Sequence, residues 1–225
     1  MPAHQRPCKV ATLNNANRPD VRAYVGATGS GKGVSIRAHL AQAKPSRLLI
    51  WDPLAEYDKF AKHATLSEIC TKVQKAGDGP FKLAYTAGDS ADTKAAFALL
   101  CAVARRAGQL TFLVEELADV TQPSYAPPAW RRITTMGRHA GISVIAATQR
   151  PAVVDKSFLG SCSYIRCFTL RLANDQKTMA ASMGLPLEQI ANLKTVEVGN
   201  KTTIAYAERD FRSGLCGQNT IVMRR

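Results

Sequence analysis

The feature that most constrains the fold is a glycine-rich loop, GATGSGKG at positions 26–33, between two regular elements. Val21–Val25 before it is a short, mostly apolar run that predicts a strand, and Lys32–Ala43 after it predicts a helix. Glycines in such a loop let backbone N–H groups turn inward around an anion, and the helix N-terminus adds positive potential. The loop therefore predicts a phosphate-binding strand–loop–helix unit.

The loop and the first residues of the helix supply the predicted nucleotide contacts. These residues are Gly26, Ala27, Thr28, Gly29, Ser30, Gly31, Lys32, Gly33 and Val34. We expect Lys32 to reach the terminal phosphates and to take part in catalysis. Gly33 departs from the usual pattern, in which Ser or Thr after the lysine ligates magnesium. Ser35 lies about 200° around the helix from Gly33, a poor substitute, so Mg²⁺ is expected to rely on water and on acidic residues elsewhere. The alternative is a glycine-rich turn that binds nothing.

Strands alternate with helices along the rest of the chain, a pattern typical of an α/β fold with a mainly parallel central sheet flanked by helices on both faces. Further strands are predicted at 47–51, 81–85, 110–114, 142–147, 165–170, 202–207 and 219–223, and helices at about 66–75 and 91–107. With 225 residues, 46% of them hydrophobic, the chain can bury one full core. We expect an N-terminal lead-in at 1–20 and a single domain at 21–225.

A second candidate element is the apolar strand TFLV, which ends in two carboxylates, Glu115 and Glu116. In P-loop enzymes such a pair puts one acid near magnesium and its neighbour beside the attacking water. We assign Glu115 to the metal and Glu116 to the water. Taken alone, a strand that ends in two acids is more often a solvated turn, so this assignment depends on the glycine loop. Gln149 follows another apolar strand and is a candidate phosphate sensor that contacts both phosphate and water.

Four motifs in this order resemble those of the FtsK/HerA superfamily of ring-forming, DNA-translocating ATPases. The matching stretches are 26–32, 113–116 with Ala118 and Asp119, Arg138-x-Ala140-Gly141-Ile142, and Ala147-Thr148-Gln149-Arg150-Pro151; Ile50-Trp51-Asp52-Pro53-x-x-Glu56-Tyr57 resembles the HerA-like branch. The resemblance covers about 21–171. It implies a RecA-like P-loop NTPase that uses ATP and Mg²⁺ and assembles as a homo-oligomeric ring, usually a hexamer.

The resemblance also implies roles for individual side chains. Arg138 would be the arginine finger that stabilises charge on a neighbouring subunit's nucleotide, and its alternative is a surface cation. Arg166, near the start of the predicted strand at 165–170, and Arg171, directly after it, are alternative fingers. Asp52 is a further candidate, which would support the catalytic site or the subunit contact.

Within the superfamily, a chain of this length resembles most the genome-packaging ATPases of membrane-containing, tailless double-stranded DNA viruses. The expected function is ATP hydrolysis that drives double-stranded DNA into a preformed capsid. One alternative is a cellular DNA pump of the HerA/FtsK type for segregation, conjugation or repair. Another is a non-motor ATP-dependent switch or a small-molecule kinase, although the two glutamates and Gln149 favour water over an acceptor hydroxyl.

The formal charge of +13 fits a polyanionic partner, although a merely soluble basic surface or an anionic membrane would explain it too. The proline-rich segment 121–132 is predicted to be a surface loop. Its Tyr125, Trp130, Arg131 and Arg132 are candidate contacts to DNA phosphates in the pore of the ring. A loop that packs only against its own subunit is the alternative.

Six cysteines form no Cys-x-x-Cys pair, and most lie among apolar neighbours, so we expect core residues in a reducing compartment. No apolar run approaches the length of a transmembrane helix, and no signal peptide is evident at the N-terminus. We therefore expect a soluble, intracellular protein at the packaging vertex of a virion or in the host cytoplasm. Capsid or membrane proteins are conceivable docking partners.

Overall fold

The computed structural model describes residues 20–86 and 92–224. The strands of these residues are β1 (Val21–Val25), β2 (Arg47–Trp51), β3 (Lys62–His63), β4 (Phe81–Tyr85), β5 (Thr111–Val114), β6 (Ser143–Thr148), β7 (Tyr164–Cys167), β8 (Thr195–Val198), β9 (Lys201–Asp210) and β10 (Cys216–Arg224). The helices are α1 (Lys32–Ala43), α2 (Leu66–Ala76), α3 (Thr93–Ala107), α4 (Pro128–Met136), α5 (Lys156–Ser161), α6 (Ala173–Met183) and α7 (Leu187–Ala191). The predicted lead-in, except for Asp20, and the predicted start of α3 at residue 91 lie outside the described residues.

One sheet joins all these strands in the order β10-β9-β7-β1-β6-β5-β2-β4-β3, with β8 paired to β9. The seven strands from β7 to β3 are parallel, and β9 pairs antiparallel with β7, β8 and β10. The prediction of a mainly parallel α/β sheet is confirmed. Because β6 lies between β1 and β5, the segments that follow these three strands meet at one edge of the sheet.

The central strands β2, β5 and β6 are mostly apolar and buried, as expected where helices cover both faces of the sheet. On one face, Leu48 and Ile50 of β2 pack in a cluster with Ile36 and Leu40 of α1. On the other face, Leu49 and Trp51 belong to a larger cluster that includes residues of α2 to α7. Alternate residues of β2 therefore pack in two separate hydrophobic clusters, one on each face of the sheet, as expected for a sheet with helices on both faces.

The proline-rich segment differs from the predicted loop. A tight turn pairs Gln122 with Tyr125, and α4 begins at Pro128, where a residue without an N–H fits the first turn of a helix. The side chain of Trp130 then faces inward, is fully buried, and lies with its ring centroid 5.6–6.2 Å from those of Phe97, Phe112 and Phe158. The prediction that Trp130 contacts DNA is wrong, because the register of α4 places its ring in the core.

The C-terminal region completes the sheet. The predicted strands at 202–207 and 219–223 are confirmed as parts of β9 and β10, whereas α6, α7 and β8 were not predicted. Cys101, Cys162 and Cys167 are buried and, with Cys70 and Cys216, carry free thiols. No helix in the described ranges is both long and apolar enough to cross a bilayer.

Candidate nucleotide site

A cleft of about 240 Å³ opens at the sheet edge where β1, β5 and β6 end. The glycine loop and the start of α1 form one side of it, and the two glutamates and Gln149 form another. The rest of its wall is formed by residues 52–56 after β2 and by two side chains of the C-terminal strands. Its lining is Thr28, Gly29, Gly31, Lys32, Gly33, Val34, Arg37, Asp52, Leu54, Glu56, Glu115, Glu116, Gln149, Ile204 and Met223. The structure thus brings together the predicted loop, metal and water residues.

The glycine loop is tightly packed. A Cβ on Gly26 would lie 2.5 Å from Ser30 Oγ and 2.7 Å from Phe168 Cβ, so a larger residue would force the loop open. Gly31 has a φ of 105°, in the region that favours glycine, and α1 begins directly after it. The loop therefore depends on glycine at both positions to keep its turn against the sheet.

Lys32 lies inside this loop. Its Nζ donates hydrogen bonds to the carbonyl oxygens of Gly26 at 2.7 Å and Ala27 at 3.3 Å. Burial lowers the pKa of Lys32, and the carboxylates of Glu116 and Glu115 oppose that effect. A buried cation whose partners are mainly carbonyl oxygens can exchange them for phosphate oxygens of higher charge.

Glu115 lies deep in the cleft and accepts a hydrogen bond from the hydroxyl of Tyr57, which is itself fully buried. Burial raises the pKa of Glu115 to about 7, against the lowering effect of the Tyr57 hydrogen bond. The buried Asp52 holds the turn that presents Tyr57: its carboxylate accepts backbone hydrogen bonds from Glu56 at 2.9 Å and Tyr57 at 3.0 Å. Asp52 therefore fixes the turn that places the Tyr57 hydroxyl against Glu115.

Glu116, Gln149 and Thr28 form a chain of hydrogen bonds across the cleft. Gln149 Nε2 donates to Glu116 Oε1 at 2.7 Å, and the Thr28 hydroxyl donates to Gln149 Oε1 at 2.6 Å. Glu116 has a φ of 46°, so the backbone turns sharply after β5 and its side chain is half-buried at the cleft. Gln149 thus connects the glycine loop to the carboxylate that could bind a water molecule.

The residues present fit a magnesium ion that a nucleotide brings with it. Such an ion usually keeps several waters and takes one or two protein carboxylates, and Glu115 in the cleft is a carboxylate that could be one of them. Gly33 offers no hydroxyl, and Ser35 Oγ is buried and accepts a hydrogen bond from Arg166 Nη1 at 3.3 Å. Within the residues that the structure describes, no cluster of three or more His, Cys, Asp and Glu could hold a metal alone.

Arg138 lies at the N-terminal end of β6, whereas its own glycine loop lies at the C-terminal ends of the parallel strands. It is exposed in a 3₁₀ turn before β6, whereas Gln149 follows β6, so a six-residue strand of roughly 20 Å separates them. Arg166 is held within its own chain by Glu208 at 2.8 Å and by the Tyr164 hydroxyl at 2.8 Å. Arg171 is exposed. Arg138 and Arg171 are therefore more available than Arg166 to a neighbouring molecule.

The remaining predicted DNA contacts lie on the surface. Tyr125 is 46% exposed in the turn before α4, and Arg131 and Arg132 are exposed on the outer side of that helix. Unlike Trp130, these three side chains are available to a partner.

Sequence reasoning missed three contributions to the cleft. Tyr57 lies in a stretch recognised only as a motif, and its contact with Glu115 spans 58 positions. Arg37 follows Gly33 by four residues, a spacing that puts both on one helix face and could have revealed it. Ile204 and Met223 line the cleft from β9 and β10, a region for which no motif gave a signal.

Comparison with known proteins gives one relative of significant identity and several structures of the same fold. Protein P9 of Pseudoalteromonas phage PM2 is 31% identical over 173 residues, which cover 76% of this chain and 78% of that protein. The genome packaging NTPase B204 of Sulfolobus turreted icosahedral virus 2, in complex with AMP, has a TM-score of 0.69 at 21% identity over 89% of this chain and 96% of that one. B204 of Sulfolobus turreted icosahedral virus, a DNA-packaging ATPase, has a TM-score of 0.65 at 21% identity over 90% and 98% of the two chains. No protein-family profile matches the chain.

Proposed function

Given that the chain belongs to the family of phage PM2 protein P9, of the FtsK/HerA P-loop type, we propose that it hydrolyses ATP to drive double-stranded DNA into a preformed viral capsid. The observation that carries the proposal is the hydrogen-bonded chain Thr28–Gln149–Glu116 beside the glycine loop. A glycine loop that only binds a nucleotide has no need of an acid and an amide joined to it by hydrogen bonds. Solved complexes of the B204 protein with ATPγS and with AMPPCP support a nucleotide as the ligand of this fold.

The proposed chemistry assigns one task to each group. Backbone N–H groups of 26–34 bind the phosphates, and Lys32 neutralises charge on the terminal ones. Mg²⁺, held by the nucleotide and Glu115, supplies further neutralisation when it is bound. Glu116 accepts a hydrogen bond from the attacking water and orients it, and Gln149 registers whether the terminal phosphate is present.

The position of Arg138 supports a ring in which each site is completed by a neighbour. Arg138 is too far from its own loop to reach it across β6, but an exposed arginine at the opposite edge of the sheet can face the next subunit's nucleotide. We propose a homo-oligomeric ring, with six subunits as the expected number, in which hydrolysis moves one subunit against the next. Tyr125, Arg131 and Arg132 are the proposed contacts to the DNA backbone.

The test is steady-state ATP hydrolysis with and without double-stranded DNA. We expect DNA to stimulate hydrolysis in the native protein, and Lys32→Ala and Glu116→Gln to abolish it. The matched controls Lys94→Ala and Glu188→Gln change exposed residues of α3 and α7 and should retain it. Hydrolysis indifferent to DNA over a range of salt and protein concentrations would contradict the motor and favour an ATP-dependent switch.

A further inference from the structure

Arg37 occupies the space beside the one loop position that departs from the usual pattern. A Cβ on Gly33 would lie 3.2 Å from Nη1 and 3.3 Å from Nη2 of Arg37, which is tighter than ordinary van der Waals contact. A serine or threonine side chain at position 33 would extend into the same space. Any side chain at position 33 would therefore require the guanidinium of Arg37 to shift.

The guanidinium of Arg37 belongs to the nucleotide cleft, which it lines with Lys32, Gly33 and Glu116. Its ion pair in the described structure is with Glu56, at 3.8 Å, and the two side chains are 41% and 48% exposed. An ion pair this long and this exposed contributes little, so the guanidinium can leave Glu56 for a stronger anion at small cost. Phosphate is such an anion, because the planar fork of arginine can donate two hydrogen bonds to its oxygens.

We propose that Arg37 is a phosphate-binding residue for the nucleotide of its own subunit, and that Gly33 is the residue that gives it room. The inference rests on the proposed function, since it takes the cleft to be a nucleotide site. In this arrangement, Arg37 supplies from α1 part of the positive charge that other P-loop proteins obtain through a hydroxyl-bound magnesium ion. ATP binding by this chain then depends less on Mg²⁺ than the missing hydroxyl alone would suggest.

The test is equilibrium titration with ATP and with AMP, each in EDTA and again in Mg²⁺, for the native protein and for Arg37→Ala and Arg37→Lys. We expect Arg37→Ala to weaken ATP binding in EDTA by about tenfold or more, as for loss of a charged hydrogen bond. The loss should be smaller for AMP, which carries less charge, and smaller in Mg²⁺. Arg37→Lys keeps the charge without the fork and should recover part of the affinity. Arg106→Ala, an exposed arginine of α3, is the matched control and should change nothing.

Gly33→Ser tests the relation between the two positions independently, because it introduces a hydroxyl at position 33 and displaces the guanidinium of Arg37. We expect it to weaken ATP binding in EDTA in the native background and to have little further effect when combined with Arg37→Ala. Equal ATP affinity of the native protein and Arg37→Ala in EDTA would overturn the inference, as would additive effects of the two substitutions. Failure of the native protein to bind ATP under either condition would instead overturn the proposed function.

Discussion

Glu115 should make the protein without nucleotide less stable as the pH rises. Its pKa is raised by burial from an ordinary value of 4.5 to about 7, so between these values the folded protein binds a proton that the unfolded chain has released. Stability that depends on such a proton is fully present below pH 4.5 and is lost as the pH rises through about 7. The difference between the two pKa values corresponds to roughly 3 kcal/mol.

Glu115→Gln removes this dependence and keeps an oxygen that accepts the Tyr57 hydrogen bond. Urea unfolding in EDTA at about pH 5 and about pH 8.5 measures the outcome. We expect the stability of the variant relative to the native protein to increase by roughly 2–3 kcal/mol between the two conditions. Glu188→Gln makes the same chemical change at an exposed position of α7 and serves as the control. If the relative stability is the same at both pH values, or favours the variant more in acid, burial does not raise the pKa of Glu115 in the folded protein.

Three further predictions concern the core, the DNA surface and the ring. Trp130→Ala should lower the free energy of unfolding in urea by roughly 3–5 kcal/mol, because it removes one ring from a fully buried aromatic cluster. A decrease below about 1 kcal/mol would contradict that burial. Arg131→Ala and Arg132→Ala should change the free energy of unfolding by less than about 0.5 kcal/mol. Each should weaken DNA binding and reduce the salt dependence of the DNA affinity by the equivalent of about one phosphate contact. An unchanged salt dependence would exclude such contacts. Arg138→Ala and Glu116→Gln should each abolish ATP hydrolysis when present alone. Mixing the two variant subunits should restore part of the hydrolysis, because some interfaces then combine an intact Glu116 with an intact Arg138. No recovery on mixing would contradict an arginine supplied by a neighbour.

The sheet was predictable where the sequence signal is local and where burial is on both faces. The run RLLIW is continuous and apolar because both of its faces are covered, and β2 has the predicted bounds, 47–51. Strand β8 gave no such signal, since all four of its residues are exposed and its pairing with β9 is what defines it. Helix α7 has only five residues, too few to display a helical period.

The site was predictable as a set of motifs but not as a set of contacts. The glycine loop and the carboxylates after β5 follow from strand order, because parallel strands bring their ends to one edge. The burial of Trp130 depends on where α4 begins, and a proline-rich composition alone did not show that the helix starts at Pro128. The contact between Tyr57 and Glu115 joins two turns whose approach is set by the whole sheet, so no local spacing could reveal it.

The most direct test of DNA translocation is displacement of a triplex-forming oligonucleotide from the end of a linear double-stranded DNA. A motor that moves along the duplex strips off the third strand in its path, whereas a protein that only binds DNA or hydrolyses ATP does not. We expect displacement of the third strand that requires ATP and is lost in Glu116→Gln. Rapid ATP hydrolysis in the presence of this DNA without displacement of the third strand would contradict it.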